Sequence, residues 1–147
     1  MSESIRVLLA DDHPLFRDGV AHSLDGEPDI TLVGQAASGE EALRLARDLL
    51  PDVVLVDITM PGKGGLVAAA EISAASPATK IVMLTVSEHD ADLVAAFKAG
   101  ARGYVLKGVS ARELANVVRA VASGEVYVSP SLAAGMLVEL TRGRPPD

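Results

Sequence analysis

The chain predicts an α/β fold: a doubly wound, parallel five-stranded sheet built from five strand–helix units, (βα)5, with one more helix and a linker behind it. Three observations carry this. Five short apolar runs alternate with five longer stretches of helical spacing, the pattern of a parallel sheet with crossover helices. Two of the runs, Val53–Val56 and Ile81–Leu84, are apolar at successive positions, as strands covered on both faces must be. The 147 residues, 49% apolar and 22% charged, suit one domain with a core large enough to need no staple.

The elements follow in order. Ile5-Arg-Val-Leu-Leu-Ala10 is a strand, and Leu15, Phe16, Val20 and Leu24 mark a helix from Pro14. Ile30 to Ala36 is the second strand. Ser38-Gly-Glu-Glu41 is a capping box that opens a helix reaching Leu50, stopped by Pro51. Val53-Val-Leu-Val56 is the third strand and ends on Asp57. Thr59 to Gly65 is a turn-rich loop, and Leu66 to Ala75 a small-residue helix. Lys80 to Leu84 is the fourth strand, ending on Thr85, with a helix from about Asp90 to Ala99 that Gly100 stops. Gly103 to Leu106 is the fifth strand, followed by Lys107. Ser110-Ala-Arg-Glu113 is a second capping box, its helix running to about Ser123. Ser129-Pro130 reads as an N-cap with proline in the first helical position, predicting a last helix over 130–140. Thr141 to Asp147 reads as linker, so residues 4–125 are expected to form the domain and 126–147 its C-terminal helix and linker.

Composition narrows the function. With no Cys, disulfides, cysteine zinc sites, iron–sulfur clusters and thiol catalysis are excluded. Aromatics are 3% and Trp is absent, so there is no stacking platform for single-stranded nucleic acid. The net charge of -7 repels phosphate backbones, and the segment itself is not expected to bind nucleic acid. The acidic start is unlike a secretory signal, and no apolar run approaches the roughly 18 residues of a membrane span. A cytoplasmic protein is expected.

In open α/β sheets the reactive crevice lies beyond the carboxyl ends of the strands. Asp11 and Asp12 follow the first strand, Asp57 the third, Thr85 the fourth and Lys107 the fifth. The second strand offers only Ala37-Ser38 and so is expected off to one side. Three converging carboxylates repel one another unless a cation joins them. Oxygen donors of this number suit Mg²⁺, with carboxylates, water and a phosphate as ligands. Lys107 supplies a mobile positive charge for phosphate and Thr85 a hydroxyl. Asp57 is the expected nucleophile, since a carboxylate can form an aspartyl phosphate. His13, His22 and His89 lack metal-ligand spacing and read as structural or exposed. Taken singly, the Asp pair could be a helix cap, Asp57 a loop acid and Lys107 a solvated side chain; their joint placement at strand ends carries the reading.

As an ordered set these residues resemble the receiver domain of bacterial two-component response regulators. The likeness rests on Asp11-Asp12, on Val53-Val-Leu-Val-Asp57 with Met60-Pro61-Gly62, on Leu84-Thr85 and on Gly100-Ala-Arg-Gly-Tyr-Val-Leu-Lys107. The stretches Arg6-Val-Leu-Leu-Ala-Asp-Asp-His-Pro-Leu-Phe-Arg-Asp-Gly19 and Gly124-Glu-Val-Tyr-Val-Ser-Pro130 resemble the NarL/FixJ (LuxR-type) subfamily. The resemblance implies a flavodoxin-like receiver fold. It also implies that Asp57 accepts a phosphoryl group from a sensor histidine kinase, that Asp11, Asp12, Asp57 and the Thr59 backbone carbonyl hold Mg²⁺, and that Thr85 and Lys107 contact the phosphate. Tyr104 would be the switch aromatic, turning inward as Thr85 moves. The implied output is dimerisation, through a surface near helices four and five or one and five, and control of transcription through a downstream helix-turn-helix DNA-binding domain. That domain is absent from this sequence, and the expectation is that the chain is a piece of a longer protein. Such a domain is no enzyme beyond its own phosphoryl transfer and slow autodephosphorylation. Many receivers carry Lys-Pro with a cis bond where this chain has Lys107-Gly108.

Three other readings are weighed. A haloacid-dehalogenase-like phosphatase wants two acids two residues apart after its first strand, and here they are adjacent. A flavodoxin-like mononucleotide binder wants a glycine- and hydroxyl-rich first loop, and Asp-Asp-His-Pro has the wrong charge. A degenerate receiver would lack one of the required side chains, and all are present.

Overall fold

Apolar side chains that alternate along a strand point to opposite faces of the sheet, and here both faces are covered. The computed structural model describes residues 4–62, 64–86, 91–130 and 133–134. Strands β1 (Ile5–Ala10), β2 (Ile30–Ala36), β3 (Val53–Asp57), β4 (Lys80–Thr85) and β5 (Gly103–Leu106) alternate with helices α1 (Pro14–Asp25), α2 (Gly39–Leu49), α3 (Gly64–Ala75), α4 (Ala91–Lys98) and α5 (Ala111–Ala122). Every pairing is parallel and these five strands lie in the order β2-β1-β3-β4-β5. Leu8, Val54, Val56, Ile81, Met83 and Tyr104 pack on the α2–α4 side. Val7, Leu9, Val53, Leu55, Val82 and Val105 pack on the other, against residues of α1 and α5 such as Leu24 and Val118. The strand after β1 in sequence lies to one side of it and β3 to the other, so the chain reverses direction at β1, and a crevice opens there beyond the strand ends.

The sheet has six strands rather than the five expected. The sixth, β6, is Tyr127–Val128, and it pairs with β5 through Gly103↔Tyr127 and Tyr104↔Val128. Its physical cause is the open edge of β5, whose backbone groups need partners. Tyr127 N donates to Arg102 O, Ser129 N donates to Tyr104 O, and Ser129 Oγ accepts from Leu106 N. The sheet therefore runs past residue 125.

The helix starts follow their caps. Ser38 Oγ accepts from Glu41 N, and Glu41 Oε1 accepts from Ala37 N. Ser110 Oγ accepts from Glu113 N at 3.0 Å, but the Glu113 carboxylate does not close the second box; it accepts the Tyr127 hydroxyl at 2.8 Å instead. The α3 helix begins at Gly64, two residues before the expected Leu66. Ala133 N donates to Ser129 O, a first helical turn beyond Pro130. The rest of the helix expected to Leu140 and the linker to Asp147 lie outside the described residues, as does His89. No cis peptide bond occurs among the described residues.

Candidate functional site

Register does the assembling. Ala10 pairs with Val56, Asp57 with Leu84, and Thr85 with Leu106. The residues that follow therefore emerge side by side at one edge of the sheet. Asp11, Asp57 and Thr85 are buried there, with Asp57 only 1% exposed. The Lys107 side chain, 9% exposed, lies over them, its Nζ 2.6 Å from Asp11 Oδ2 and 3.4 Å from Asp57 Oδ2. Lys107 N donates to Thr85 O at 2.8 Å, which locks the start of its loop to the end of β4. The ammonium also sits 4.5 Å from the centre of the Phe16 ring, a cation–π contact that draws α1 to the site.

The loop after β1 is held tightly. Asp11 Oδ1 accepts from His13 N at 2.8 Å, and the Arg17 guanidinium donates to Asp11 O at 2.6 Å. Position 13 is the N-cap of α1 but makes no side-chain cap, so the Asp pair does not serve as the helix cap either. Thr59, after β3, turns back on the nucleophile candidate. Its amide donates to Asp57 Oδ1 at 3.2 Å and its hydroxyl reaches both Asp57 oxygens, at 3.2 and 3.4 Å. Burial pushes the Asp57 carboxyl up from its usual range; the Thr59 amide opposes this, the Asp11 charge adds to it, and Lys107 draws it back down.

The β3–α3 loop leaves no room for a side chain at Gly65. A Cβ there would stand 2.1 Å from Asp57 O and 2.7 Å from Ile58 Cα. Gly65 N donates to Ile58 O, and Ile58 N to Leu84 O, so the loop is tied to the neighbouring strand. Tyr104, in the middle of β5, is fully buried beside Met83 and Ala96 in the α2–α4 core.

His13, expected to be structural or exposed for want of metal-ligand spacing, is exposed and also adjoins the site. Its ring is 58% exposed, yet Nδ1 lies 2.9 Å from Asp11 Oδ1, 3.3 Å from Asp12 Oδ1 and 3.7 Å from Asp57 Oδ2. One ligand atom from each of Asp11, Asp12, His13 and Asp57 lies within 4.8 Å of the others. Asp12 Oδ1 is buried and has no hydrogen-bond partner among the described residues. A buried carboxylate oxygen without a donor is costly unless a cation meets it. Three carboxylates with such an orphaned oxygen therefore fit a divalent cation, Mg²⁺ among them.

Beside the site a cavity of about 250 Å³ opens between α1 and the β5–α5 loop, lined by Leu15, Phe16, Leu106, Lys107 and Leu114 among others. Leu15 at its rim is 87% exposed. No helix among the described residues is long and apolar enough to cross a membrane.

The family described as response regulator receiver domain matches residues 7–119. The response regulator GacA of Pseudomonas viridiflava is 45% identical over 129 residues, covering 88% of this chain and 60% of its own. The nitrate/nitrite response regulator protein NarL of Escherichia coli K12 is 39% identical over 142 residues, 97% of this chain and 66% of its own. The chain thus spans less than two thirds of the curated relatives it matches. Among solved structures, a LuxR-family two-component response regulator from Aurantimonas sp. SI85-9A1 superposes with a TM-score of 0.89 at 35% identity, covering 95% of this chain and 99% of that one. The receiver domain of the response regulator NarL from Mycobacterium tuberculosis gives 0.81 at 36% identity, over 84% and 99%.

Proposed function

We propose that this chain, which belongs to the response regulator receiver domain family of two-component systems and has NarL- and LuxR-type relatives, accepts a phosphoryl group on Asp57 from a sensor histidine kinase. The observation that carries this is the convergence on Asp57 of a cationic side chain, Lys107, and two further carboxylates from the neighbouring strand end.

In the proposed reaction an Asp57 Oδ attacks phosphorus. The new O–P bond forms as the N–P bond of the donor phosphohistidine breaks, and its electron pair stays on the donor imidazole. Thr59, through its amide and hydroxyl, holds the Asp57 carboxylate in one orientation. Lys107 neutralises charge on the transferring group, and Thr85 offers its hydroxyl to the phosphoryl oxygens. Mg²⁺, held by Asp11, Asp12, Asp57 and the Thr59 carbonyl, would supply charge neutralisation for both carboxylate and phosphoryl oxygens. The raised affinity of Asp57 for protons opposes its ionisation, so cations at the site also serve to present it as a carboxylate. The catalysis extends to this transfer and to slow autodephosphorylation, in which water attacks phosphorus, the Asp57 O–P bond breaks and inorganic phosphate leaves; the domain is otherwise no enzyme.

The switch follows in the same reading. Thr85 moves to the phosphoryl group and so favours the inward position of Tyr104, which this structure already shows buried in the α2–α4 core rather than turned out as expected, shifting a population between two receiver states. The exposed Leu15 and the cavity beside it adjoin the site through Lys107, and this supports docking of a kinase there. Homodimerisation on phosphorylation, a DNA-binding domain beyond residues 126–147, transcriptional output and a cytoplasmic location complete the proposal. Residues 4–125 are read as the receiver unit.

Intact mass after treatment with acetyl phosphate and Mg²⁺ tests it. A gain of one phosphoryl group is expected, lost with EDTA and lost in Asp57→Asn. Undiminished uptake by the variant would overturn the assignment.

A further inference from the structure

We propose that Ser129, on the segment after α5, is a positioning residue for Lys107, so that β6 ties the chain beyond residue 130 to the chemistry at Asp57. The proposal rests on Asp57 as the phosphoryl acceptor and adds a residue that acts on the transfer from outside the site. Lys107, whose ammonium lies over Asp11 and Asp57, directly follows the last residue of β5. Two hydrogen bonds hold that strand end, one on each side. Lys107 N donates to Thr85 O at 2.8 Å on the β4 side. Leu106 N donates to Ser129 Oγ at 3.3 Å on the β6 side. Thr85 is the residue that offers its hydroxyl to the phosphoryl group. Thr85, Lys107, Leu106 and Ser129 thus form one bonded line from the site to the tail.

The backbone seats Ser129 and the hydroxyl does the pinning. Tyr127 N donates to Arg102 O at 3.0 Å, and Ser129 N to Tyr104 O at 3.1 Å. The β6 ladder ends at Tyr104↔Val128, which leaves the Leu106 amide one rung beyond it. Ser129 Oγ, on a residue only 2% exposed, supplies that rung, and an amide without a partner there would be costly. A second fastening lies nearby. The Tyr127 hydroxyl donates to Glu113 at 2.8 Å, in the first turn of α5, just past the Lys107 loop. An edge cover alone would need only the backbone pairs and would change stability without changing transfer. A pin on Leu106 acts on the placement of the next residue, Lys107, and so on the rate.

The initial rate of phosphoryl uptake from acetyl phosphate with saturating Mg²⁺, read by intact mass on the full chain, tests this. The proteins are wild type, Ser129→Ala, Lys107→Ala, the double variant and Tyr127→Phe, with melting curves to verify folding. Ser129→Ala is expected to slow uptake about fivefold, the worth of one neutral hydrogen bond. In the Lys107→Ala background the same change is expected to alter the rate by less than about twofold, because it acts through the missing ammonium. Tyr127→Phe releases the strap from α5 but keeps both bonds at the end of β5, and is expected to stay within about twofold of wild type. An unchanged rate in Ser129→Ala, equal slowing with Lys107 absent, or equal slowing by Tyr127→Phe would overturn the proposal and leave Asp57 as the acceptor. Wild type that takes up no phosphoryl group would overturn the acceptor itself. For a Ser129→Ala chain that fails to fold, hydrogen exchange in wild type decides. Coupling is reciprocal, so the Leu106 amide is expected to exchange several-fold more slowly once Asp57 is phosphorylated, and unchanged exchange would overturn the proposal.

Discussion

Asp57 carries a charge that its surroundings resist. Burial raises its folded-state pKa above the unfolded value of about 3.9. Between those two values the folded state binds more protons than the unfolded one, so this group's contribution to stability falls as pH rises through the window. Asp57→Asn is therefore expected to melt higher than wild type at neutral pH without divalent cations, the advantage shrinking as pH approaches about 4. Lys107 keeps a partner in that variant, because Asp11 lies closer to it. Scanning calorimetry at several pH values checks this, and a variant that melts lower throughout would contradict it. Lys107→Ala does the reverse. It strips the ammonium from two buried carboxylates and is expected to cost roughly 3–5 kcal/mol, restored in part by Mg²⁺. Denaturant midpoints with and without Mg²⁺ measure it. Asp11, Asp12, Asp57, Thr85 and Lys107 were legible because each follows a strand. His13 was not, because its nearest partners, Asp11 and Asp12, are adjacent residues that match no ligand spacing, and Asp57 joins them only through the register of β1 and β3.

At the scale of elements, the β3–α3 connection is the most demanding piece. Gly65→Ala would drive a Cβ into the Asp57 carbonyl and the Ile58 backbone, neither of which can rotate aside. A loss above about 3 kcal/mol is expected, at the upper end of single-substitution effects. An unchanged denaturation midpoint would mean the loop sits elsewhere. The turn was readable from Met60-Pro61-Gly62, but the start of α3 was not: two glycines look like loop, and only the close packing on Asp57 shows why they open a helix. The two residues of β6 are too few to show any periodicity, and they pair because β5 leaves an edge open. On the opposite face α5 is fastened to the α1–β2 turn by Arg119, which donates to both oxygens of Asp29, at 2.7 and 2.9 Å, and pairs with Glu27. The guanidinium holds the Asp29 carboxyl below its usual range. A depressed folded pKa gives stability that is complete above the unfolded value and is lost as pH falls through the folded one. Arg119→Ala is expected to lower the melting temperature modestly, with a gap that narrows in high salt and below about pH 4. A gap that ignores both would assign the loss to packing.

Over the whole molecule, five alternating units specified the parallel sheet with helices on both faces, since runs such as Val53–Val56 leave no solvent face. The strand order was legible only at β2, whose loop carries no chemistry and which stands at the sheet edge. Placing Asp11 beside Asp57 required the register itself. The acidic notch then links function to global stability. A cation that binds only the folded state stabilises it by about 2.7 kcal/mol at a hundred times its dissociation constant. Mg²⁺ is thus expected to raise the melting temperature of wild type and to leave Asp11→Asn nearly unmoved. Equal shifts in both would place the ion elsewhere. The most direct measurement is the position of the phosphoryl group: acetyl phosphate and Mg²⁺, reduction of the acyl phosphate with borohydride, and peptide mapping by mass spectrometry. The modification is expected at residue 57 alone. Its appearance at Asp11, Asp12 or a histidine, with residue 57 unmodified, would contradict the account.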